Sequence, residues 1–408
     1  MPLVGAAIIP HGSIILDKGR PELPAGVDAG AFCFFHRAAC CPEALPWPAS
    51  AAALETATDA RRVSSARRRS RTWARTTAAS RPLPSARRLC HAHPHVPLRA
   101  VHDMSVRTAA RVRAMRPDIV VLHSPHSICL SDSLGVYLNP TAAGSAAWMG
   151  AWDEFTVAIR LAEEQAKHLL SHLKAAEVKA EGIVAFASFD IPMRWSEAIP
   201  AWFLTQALGG EIGPRDEQQG SPVEPADGEP RFILLSEGCG GGTGASSADR
   251  AAVSPGKIPE TLRTGKEIAA WAAGRPERIV FVGSVDLAHG HGNSRCPPLA
   301  DGSGPDPRYR NPRYETPLAG AEPFDEAMQC WACSLDSNHI LETAPPLLAE
   351  ALACGYDGCV MMHGLMGEGD ASSTWQPEED CFHYGRPVYY GMMTAAFTPK
   401  GEAEAPAL

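Results

Sequence analysis

Short runs of apolar residues, each followed by a polar loop, recur along the chain between helix-like segments. The runs that predict buried strands are Leu3–Ile9, 118–122, 182–188, 232–235 and 278–282. Continuous rather than alternating apolar character is typical of strands buried on both faces of a parallel sheet. Helices are predicted at 104–115, 152–176 and 266–273. This alternation predicts an α/β fold, a single large domain whose mostly parallel central sheet is flanked by helices.

The segment from about 40 to 100 breaks this pattern. Arg, Ser, Ala and Pro dominate it, and Ile, Leu, Val and Phe are almost absent. Such a segment cannot bury enough apolar surface to offset its ordering entropy. We interpret it as a disordered insertion in a domain spanning 1–398, which a flexible tail at 399–408 follows. A basic arm and a non-native stretch such as a retained intron are the alternatives. The Pro/Gly-rich loops 209–229 and 296–317 are predicted to be exposed.

Charge and cysteine content narrow the class of protein. The formal net charge is -9 over 408 residues, which argues against a nucleic-acid or membrane-surface binder because those carry a basic excess. No apolar run is long enough for a transmembrane helix, and the N-terminus lacks the leading positive charges of a signal peptide. The 12 cysteines follow no regular framework, which favours reduced thiols. We therefore expect a cytoplasmic protein that binds neither nucleic acid nor a membrane.

Histidines follow three of the predicted strands. They are His11 after the first strand, His123 and His126 after the second, and His289 and His291 after the fifth. Ligands of α/β sheets bind beyond the carboxyl ends of the strands, so these side chains are expected on one rim. Imidazoles with a carboxylate and open positions suit non-haem Fe(II), whereas zinc is the commoner metal of hydrolases. The pattern predicts a metal site there, with His123 and His291 as candidate substrate contacts.

Asp286 precedes His289 closely enough to orient its imidazole by accepting the second N–H.

The chain lacks a G-x-G-x-x-G after a strand, a P-loop lysine motif and a G-x-S-x-G elbow. The common nucleotide-binding and serine-hydrolase functions therefore lose support.

Four segments resemble motifs of the class III extradiol ring-cleavage dioxygenases, the LigB-type superfamily. They are AIIPHGSIIL at 7–16, VVLHSPHSICLSD at 120–132, GSVDLAHGHG at 283–292 and ALACGYDGCVMMHGLMG at 351–367. The resemblance implies an α/β catalytic domain that opens the ring of a small aromatic diol with O₂ at an Fe(II) ion. It implies His11 and His126 as metal ligands and His289 as the acid/base. Some relatives use a small accessory subunit, and both that subunit and a homo-oligomer stay open here.

The third metal ligand is left open by the resemblance. The family uses a carboxylate near the helix of its C-terminal motif, but no Glu stands beside Cys354 here, so Glu350, Cys354 and Asp357 compete for the position. The MEMO-type proteins, relatives within the superfamily, have a Cys-Gly at this point and bind metal through the cysteine. A thiolate favours Cu or Zn over iron. The alternatives are thus a non-catalytic or redox metal-binding protein like MEMO, or a degenerate enzyme.

Overall fold

The computed structural model describes residues 2–16, 98–128, 130–148, 150–186, 190–208, 229–237, 255–299, 301–311, 313–367 and 371–401. The predicted insertion at 40–100 lies outside these ranges apart from 98–100, which begin a helix. The predicted tail lies outside them from 402 onward, and the loop 209–229 lies outside them apart from its last residue.

Within the described ranges, nine strands form a central sheet and three form a smaller one. The central strands are β1 (Leu3–Ile9), β2 (Ile119–Ser124), β3 (Leu134–Tyr137), β6 (Ala180–Ile183), β8 (Arg231–Ser236), β9 (Ile279–Ser284), β10 (Trp375–Pro377), β11 (His383–Gly385) and β12 (Met392–Pro399). The smaller sheet contains β4 (Thr141–Ser145), β5 (Thr156–Arg160) and β7 (Ile191–Met193). Its strand order is β5-β4-β7.

The central sheet has the order β10-β12-β1-β9-β2-β8-β3-β6, with β11 paired to β12. Strands β1, β9, β2 and β8 pair in parallel, which confirms the mostly parallel centre predicted from the sequence. Antiparallel pairs flank it, since β12 joins β1 and β3 joins β8 in that direction. The carboxyl ends of β1, β9 and β2 therefore meet at one edge.

Helices flank the sheet. They are α1 (Leu98–Ala114), α2 (Glu163–Ala175), α3 (Trp195–Leu208), α4 (Ile258–Ala273), α5 (Ala321–Ser334), α6 (Leu348–Ala351), α7 (Tyr356–Gly367) and α8 (Ala371–Thr374). In the part of the chain that the structure describes, no helix has the length and apolar character needed to cross a membrane.

Both faces of the sheet are buried, which explains the continuous apolar runs. Ile8 and Val121 belong to one core cluster, whereas Ile9 and Leu122 belong to the other. Side chains alternate between the faces of a strand. Each central strand therefore needs apolar residues at every position.

Several sequence predictions about secondary structure and exposure differ from the structure. The segment 152–176, predicted as a helix, contains β5 before α2, because the β-branched run from Thr156 pairs with β4 instead. The strand predicted at 182–188 is β6 and ends at Ile183. The loop 296–317 is not uniformly exposed: Asp306 and Arg308 are buried. Their opposite charges compensate each other through a contact of 2.6 Å between Oδ2 and Nη2.

Candidate metal site

His11 follows the end of β1 after one residue, Pro10, and is 2% exposed. The last residue of β1 is in register with Ser284 at the end of β9, so His11 lies beside the loop that leaves β9. Its backbone N–H donates to Oδ1 of Asp286 at 3.2 Å. The parallel pairing of two buried strands thus fixes the position of this imidazole.

The hydroxyl of Ser284 determines the tautomer of His11. Its Oγ contacts the carbonyl oxygen of Ser196 and lies 3.0 Å from Nδ1 of His11. A carbonyl oxygen only accepts, so the serine donates its single proton there and accepts from Nδ1–H. Nε2 of His11 therefore carries the lone pair, which is the form that binds metal.

Two further ligand atoms converge on this nitrogen. Nε2 of His11 is 3.4 Å from Sγ of Cys354, and the ring of His126 meets that of His11 edge-on with centroids 5.2 Å apart. One ligand atom from each of the three residues lies within 4.8 Å of the other two. Ligands bound at the usual Zn–N and Zn–S distances are separated by roughly 3.5 Å. The donor set N, N, S therefore fits a metal ion.

Burial sets the charge of the three groups. Desolvation lowers the pKa of His11 well below its usual value and that of His126 to about 3, so both imidazoles are neutral at neutral pH. Burial, and then the charge of Asp286, raise the pKa of the Cys354 thiol. Without a cation the sulfur keeps its proton, and a metal ion would displace it.

Cys354 reaches the histidines through a local turn. Leu352 ends α6 in the left-handed conformation with φ 58°, and the N–H of Gly355 then donates to the carbonyl of Asp286 at 3.0 Å. A Cβ at position 355 would lie 2.4 Å from Cγ1 of Val285, so the approach requires glycine. This packing brings the preceding cysteine against the end of β9.

The two other candidates for the third ligand lie elsewhere. Glu350 is exposed, and its side chain is next to Gly320. Asp357, in the first turn of α7, hydrogen-bonds the side chain of Glu237. Among the described residues, only Cys354 joins the two histidines in one group of potential ligands.

His289 lies in the loop after β9 and belongs to the same site. Its charge would act on both His11 and His126. Its Nδ1 is 2.9 Å from the carbonyl of Leu287, to which it must donate, so Nε2 has the free lone pair. The ring stacks on Tyr390 with centroids 5.1 Å apart. Burial lowers the pKa of His289 to about 4, which keeps this histidine a neutral proton acceptor.

Asp286 has a different partner from the one expected. Its carboxylate faces His11, with Oδ2 3.4 Å from Nε2, while the carbonyl of Leu287 orients His289. The reason is that Asp286 forms a backbone bridge with Met392 of β12, on the side of the sheet where β1 lies. Burial raises the pKa of Asp286 to about 7.

His291 is engaged on both ring nitrogens. Nε2 is 2.7 Å from Oδ2 of Asp325, and Nδ1 is 2.9 Å from Nη1 of Arg386. A guanidinium only donates, so Nδ1 accepts and Nε2–H donates to the carboxylate. Asp325 also accepts from the N–H of Ala288 at 2.9 Å. His291 thus holds the loop that carries His289 and has no ring nitrogen left for a substrate.

His123 lies inside β2, because that strand extends to Ser124 and does not end at 122 as predicted. The side chain is fully buried. Neither of its ring nitrogens has a hydrogen-bond partner in the described part of the chain. Oε2 of Glu237 lies 3.8 Å from Nε2 of His123.

Sequence reasoning missed the aromatic residues around the ligands. Trp195 stacks on His126 with centroids 5.5 Å apart, and Trp148 contacts Trp195 at 4.4 Å. The guanidinium of Arg194 lies over the Trp195 ring at 4.7 Å. Trp195 begins α3, Arg194 connects β7 to α3, and Trp148 lies in a loop, so no spacing in the sequence relates them to the histidines.

Comparisons with known proteins add little. No protein-family model matches this sequence, and no curated protein matches it. A crystal structure of an uncharacterized protein from Escherichia coli K12 aligns over 71% of this chain and 91% of its own, at 13% identity and a TM-score of 0.39. A similarity at that level carries no argument about function.

Proposed function

We propose that the protein is a metal-dependent oxidoreductase of the class III extradiol type, which opens the ring of a catechol-type substrate with O₂. The observation that carries the proposal is the convergence of His11, His126 and Cys354, whose ligand atoms lie within 4.8 Å of one another. An Fe(II) ion held there would bind the adjacent hydroxyls of the diol and lower their pKa.

His289 supplies the proton chemistry. Its Nε2 is free because Nδ1 donates to the Leu287 carbonyl at 2.9 Å, and the imidazole is neutral at neutral pH because burial lowers its pKa to about 4. It accepts a proton from a substrate hydroxyl and returns it to the product. The network of His291, Asp325 and Arg386 holds the loop in place during both steps.

The surroundings suit an aromatic substrate. Tyr390 stacks on His289 and Trp195 on His126, so the imidazoles are covered by flat apolar rings. Such surfaces favour stacking of a substrate ring and exclude water from the reacting atoms.

Cys354 favours a second candidate function. A thiolate is a softer donor than a carboxylate, and with two imidazoles it also suits Cu or Zn. The protein would then be a redox-active or non-catalytic metal binder of the MEMO type, in which His289 transfers no substrate proton.

Anaerobic reconstitution separates the two candidates. Protein loaded with Fe(II), Zn(II) or copper is supplied with a panel of catechols, while O₂ uptake and the absorbance of the ring-opened product are recorded. We expect turnover with the iron form. One bound equivalent of iron without O₂ uptake on any catechol would overturn the dioxygenase proposal. Retention of copper or zinc in that case would support the second candidate.

A further inference from the structure

A second group of titratable side chains includes none of the three ligands, although the charge of one member, Glu237, also acts on Cys354. The group consists of His123 in β2, Glu237 directly after β8 and Asp357 in the first turn of α7, and we call it the His123 cluster. Strands β2 and β8 pair in parallel with Ser124 in register with Ser236, and the N–H of Glu237 donates to the Ser124 carbonyl at 3.0 Å. Two adjacent strand ends and a helix start therefore bring these groups together.

The imidazole of His123 faces Glu237 of this cluster, and neither of its ring nitrogens accepts or donates a hydrogen bond within the described ranges. On one side of its ring, Nδ1 faces Gly358, where a Cβ would lie only 2.9 Å away. On the other side, Nε2 faces Oε2 of Glu237 at 3.8 Å, which is too long for a hydrogen bond. The side chain is 0% exposed, and both nitrogens lack partners within the described ranges.

The carboxylates of Glu237 and Asp357 also have oxygen atoms that lack hydrogen-bond partners. Oε2 of Glu237 and Oδ1 of Asp357 are also buried without a hydrogen-bond partner among the described atoms. The two side chains hydrogen-bond each other, and burial, followed by the neighbouring charge of Asp357, raises the pKa of Glu237. Buried polar atoms are nearly always paired in proteins, so several unpaired atoms in one place indicate bound water or an ion.

A surface groove is lined in part by Glu237 and Asp357, whereas His123 is not among its lining residues. Besides Glu237 and Asp357, the polar residues that line it include Asp132, Lys179, Lys257 and Glu260. The ammonium of Lys179 is 3.7 Å from Oδ2 of Asp132, which leaves Lys257 to face the remaining acidic groups. Carboxylates therefore outnumber ammonium groups along the groove, and a cation would find a complementary charge.

We propose that the His123 cluster is a second divalent-metal site, with Nε2 of His123 and Oε2 of Glu237 as its protein ligands. Asp357 holds the Glu237 side chain and supplies further negative charge, and water from the groove completes the coordination. The distance of 3.8 Å between Nε2 of His123 and Oε2 of Glu237 is close to the distance between two ligand atoms of one metal ion. An imidazole with carboxylate oxygens suits Zn(II), Mn(II) or Co(II), in contrast to the sulfur-containing site. This site is independent of the function proposed above.

Cobalt distinguishes the two sites optically. Equilibrium dialysis of the full chain against Co(II) should give two equivalents per chain. One should show the thiolate-to-cobalt charge-transfer band of a sulfur ligand, and the other only d–d absorption. Cys354→Ser should remove the charge-transfer band and one equivalent, while the second equivalent remains.

Glu237→Gln tests the cluster directly, because glutamine keeps the shape of the side chain and removes its charge. We expect it to weaken the sulfur-free equivalent at least tenfold and to leave the charge-transfer band unchanged. Asp357→Asn should weaken the same equivalent and serves as the independent variant if Glu237→Gln does not fold. Glu260→Gln, a matched charge change in the same groove, should retain both equivalents. A wild-type protein that binds one equivalent only, lost in Cys354→Ser and unaffected by Glu237→Gln, would overturn the proposal.

Discussion

Ser284 holds His11 in the tautomer that a metal ligand requires, through a 3.0 Å hydrogen bond between Oγ and Nδ1. The serine proton is committed to the Ser196 carbonyl, so the imidazole must donate. The contact is made by the ring nitrogen that does not bind metal. Hydrogen bonds at that nitrogen commonly strengthen metal binding by histidine.

Replacement of Ser284 should therefore weaken metal binding without removing a ligand. We expect Ser284→Ala to raise the dissociation constant about 10- to 100-fold, as measured by competition with a chelator. Ser105→Ala is the matched control, because that buried serine donates to the Val101 carbonyl within α1, at 2.9 Å. Equal affinity in Ser284→Ala and wild type would show that the hydroxyl does not set the tautomer.

Proton release should accompany metal binding at Cys354. Burial and Asp286 raise the pKa of this thiol, so the sulfur is protonated at neutral pH and must lose its proton on ligation. Titration calorimetry in buffers of different ionisation enthalpy should give about one proton per metal ion. Cys354→Ser should lose this proton release together with most of the affinity. Cys359→Ala changes a buried cysteine of the helix that follows, α7, and should leave both unchanged.

His289 should affect turnover more than metal content. We expect His289→Ala to keep its iron and to reduce kcat about 10²- to 10⁴-fold, the range of general acid–base catalysis. His172→Ala serves as the control. His172 in α2 lies 3.0 Å from Glu267 in α4, measured between Nε2 and Oε2. Loss of iron from His289→Ala would make this histidine a ligand and contradict its assignment as the base.

Glu197 should make the stability of the protein depend on pH. It is 1% exposed, and its carboxylate accepts from the Tyr137 hydroxyl at 2.8 Å. Burial raises its pKa to about 7 from the usual 4.5. Between these two values the folded state binds more protons than the unfolded state, so this group's contribution is complete below pH 4.5 and falls as the pH rises to 7.

The variant Glu197→Gln isolates this contribution. The free energy of unfolding of wild type minus that of the variant should fall by about 3 kcal/mol between pH 4.5 and 7. Urea denaturation at several pH values, with a chelator present, measures it. A difference that stays constant over this range would contradict the raised pKa.

The sequence predicted the parts of the site that depend on strand ends. The buried runs of β1, β2 and β9 are continuous because both faces of each strand are covered, and their parallel pairing brings His11, His126 and His289 to one rim. The burial of these strands follows from their local apolar character, so this much of the site was accessible from the sequence.

The sequence does not decide in the same way that Cys354, and not Glu350 or Asp357, joins the two histidines. The position of Cys354 depends on a left-handed residue at Leu352 and on the close packing of Gly355 against Val285, and neither leaves a periodic signal. The partner of Asp286 depends likewise on a backbone bridge to Met392, which is distant in sequence. His291 follows a strand as a ligand or substrate contact would. Both of its ring nitrogens are nevertheless hydrogen-bonded to residues from other parts of the chain, Asp325 and Arg386.

X-ray absorption spectroscopy of the metal-loaded protein tests the central claim most directly. At the sulfur-containing site we predict two imidazole ligands and one sulfur at about 2.3 Å. To isolate that site, the measurement is made on Glu237→Gln loaded with one equivalent of metal. A sulfur scatterer that disappears in Cys354→Ser is the result the structure predicts. A first shell of nitrogen and oxygen alone, unchanged by that substitution, would contradict metal binding through His11, His126 and Cys354.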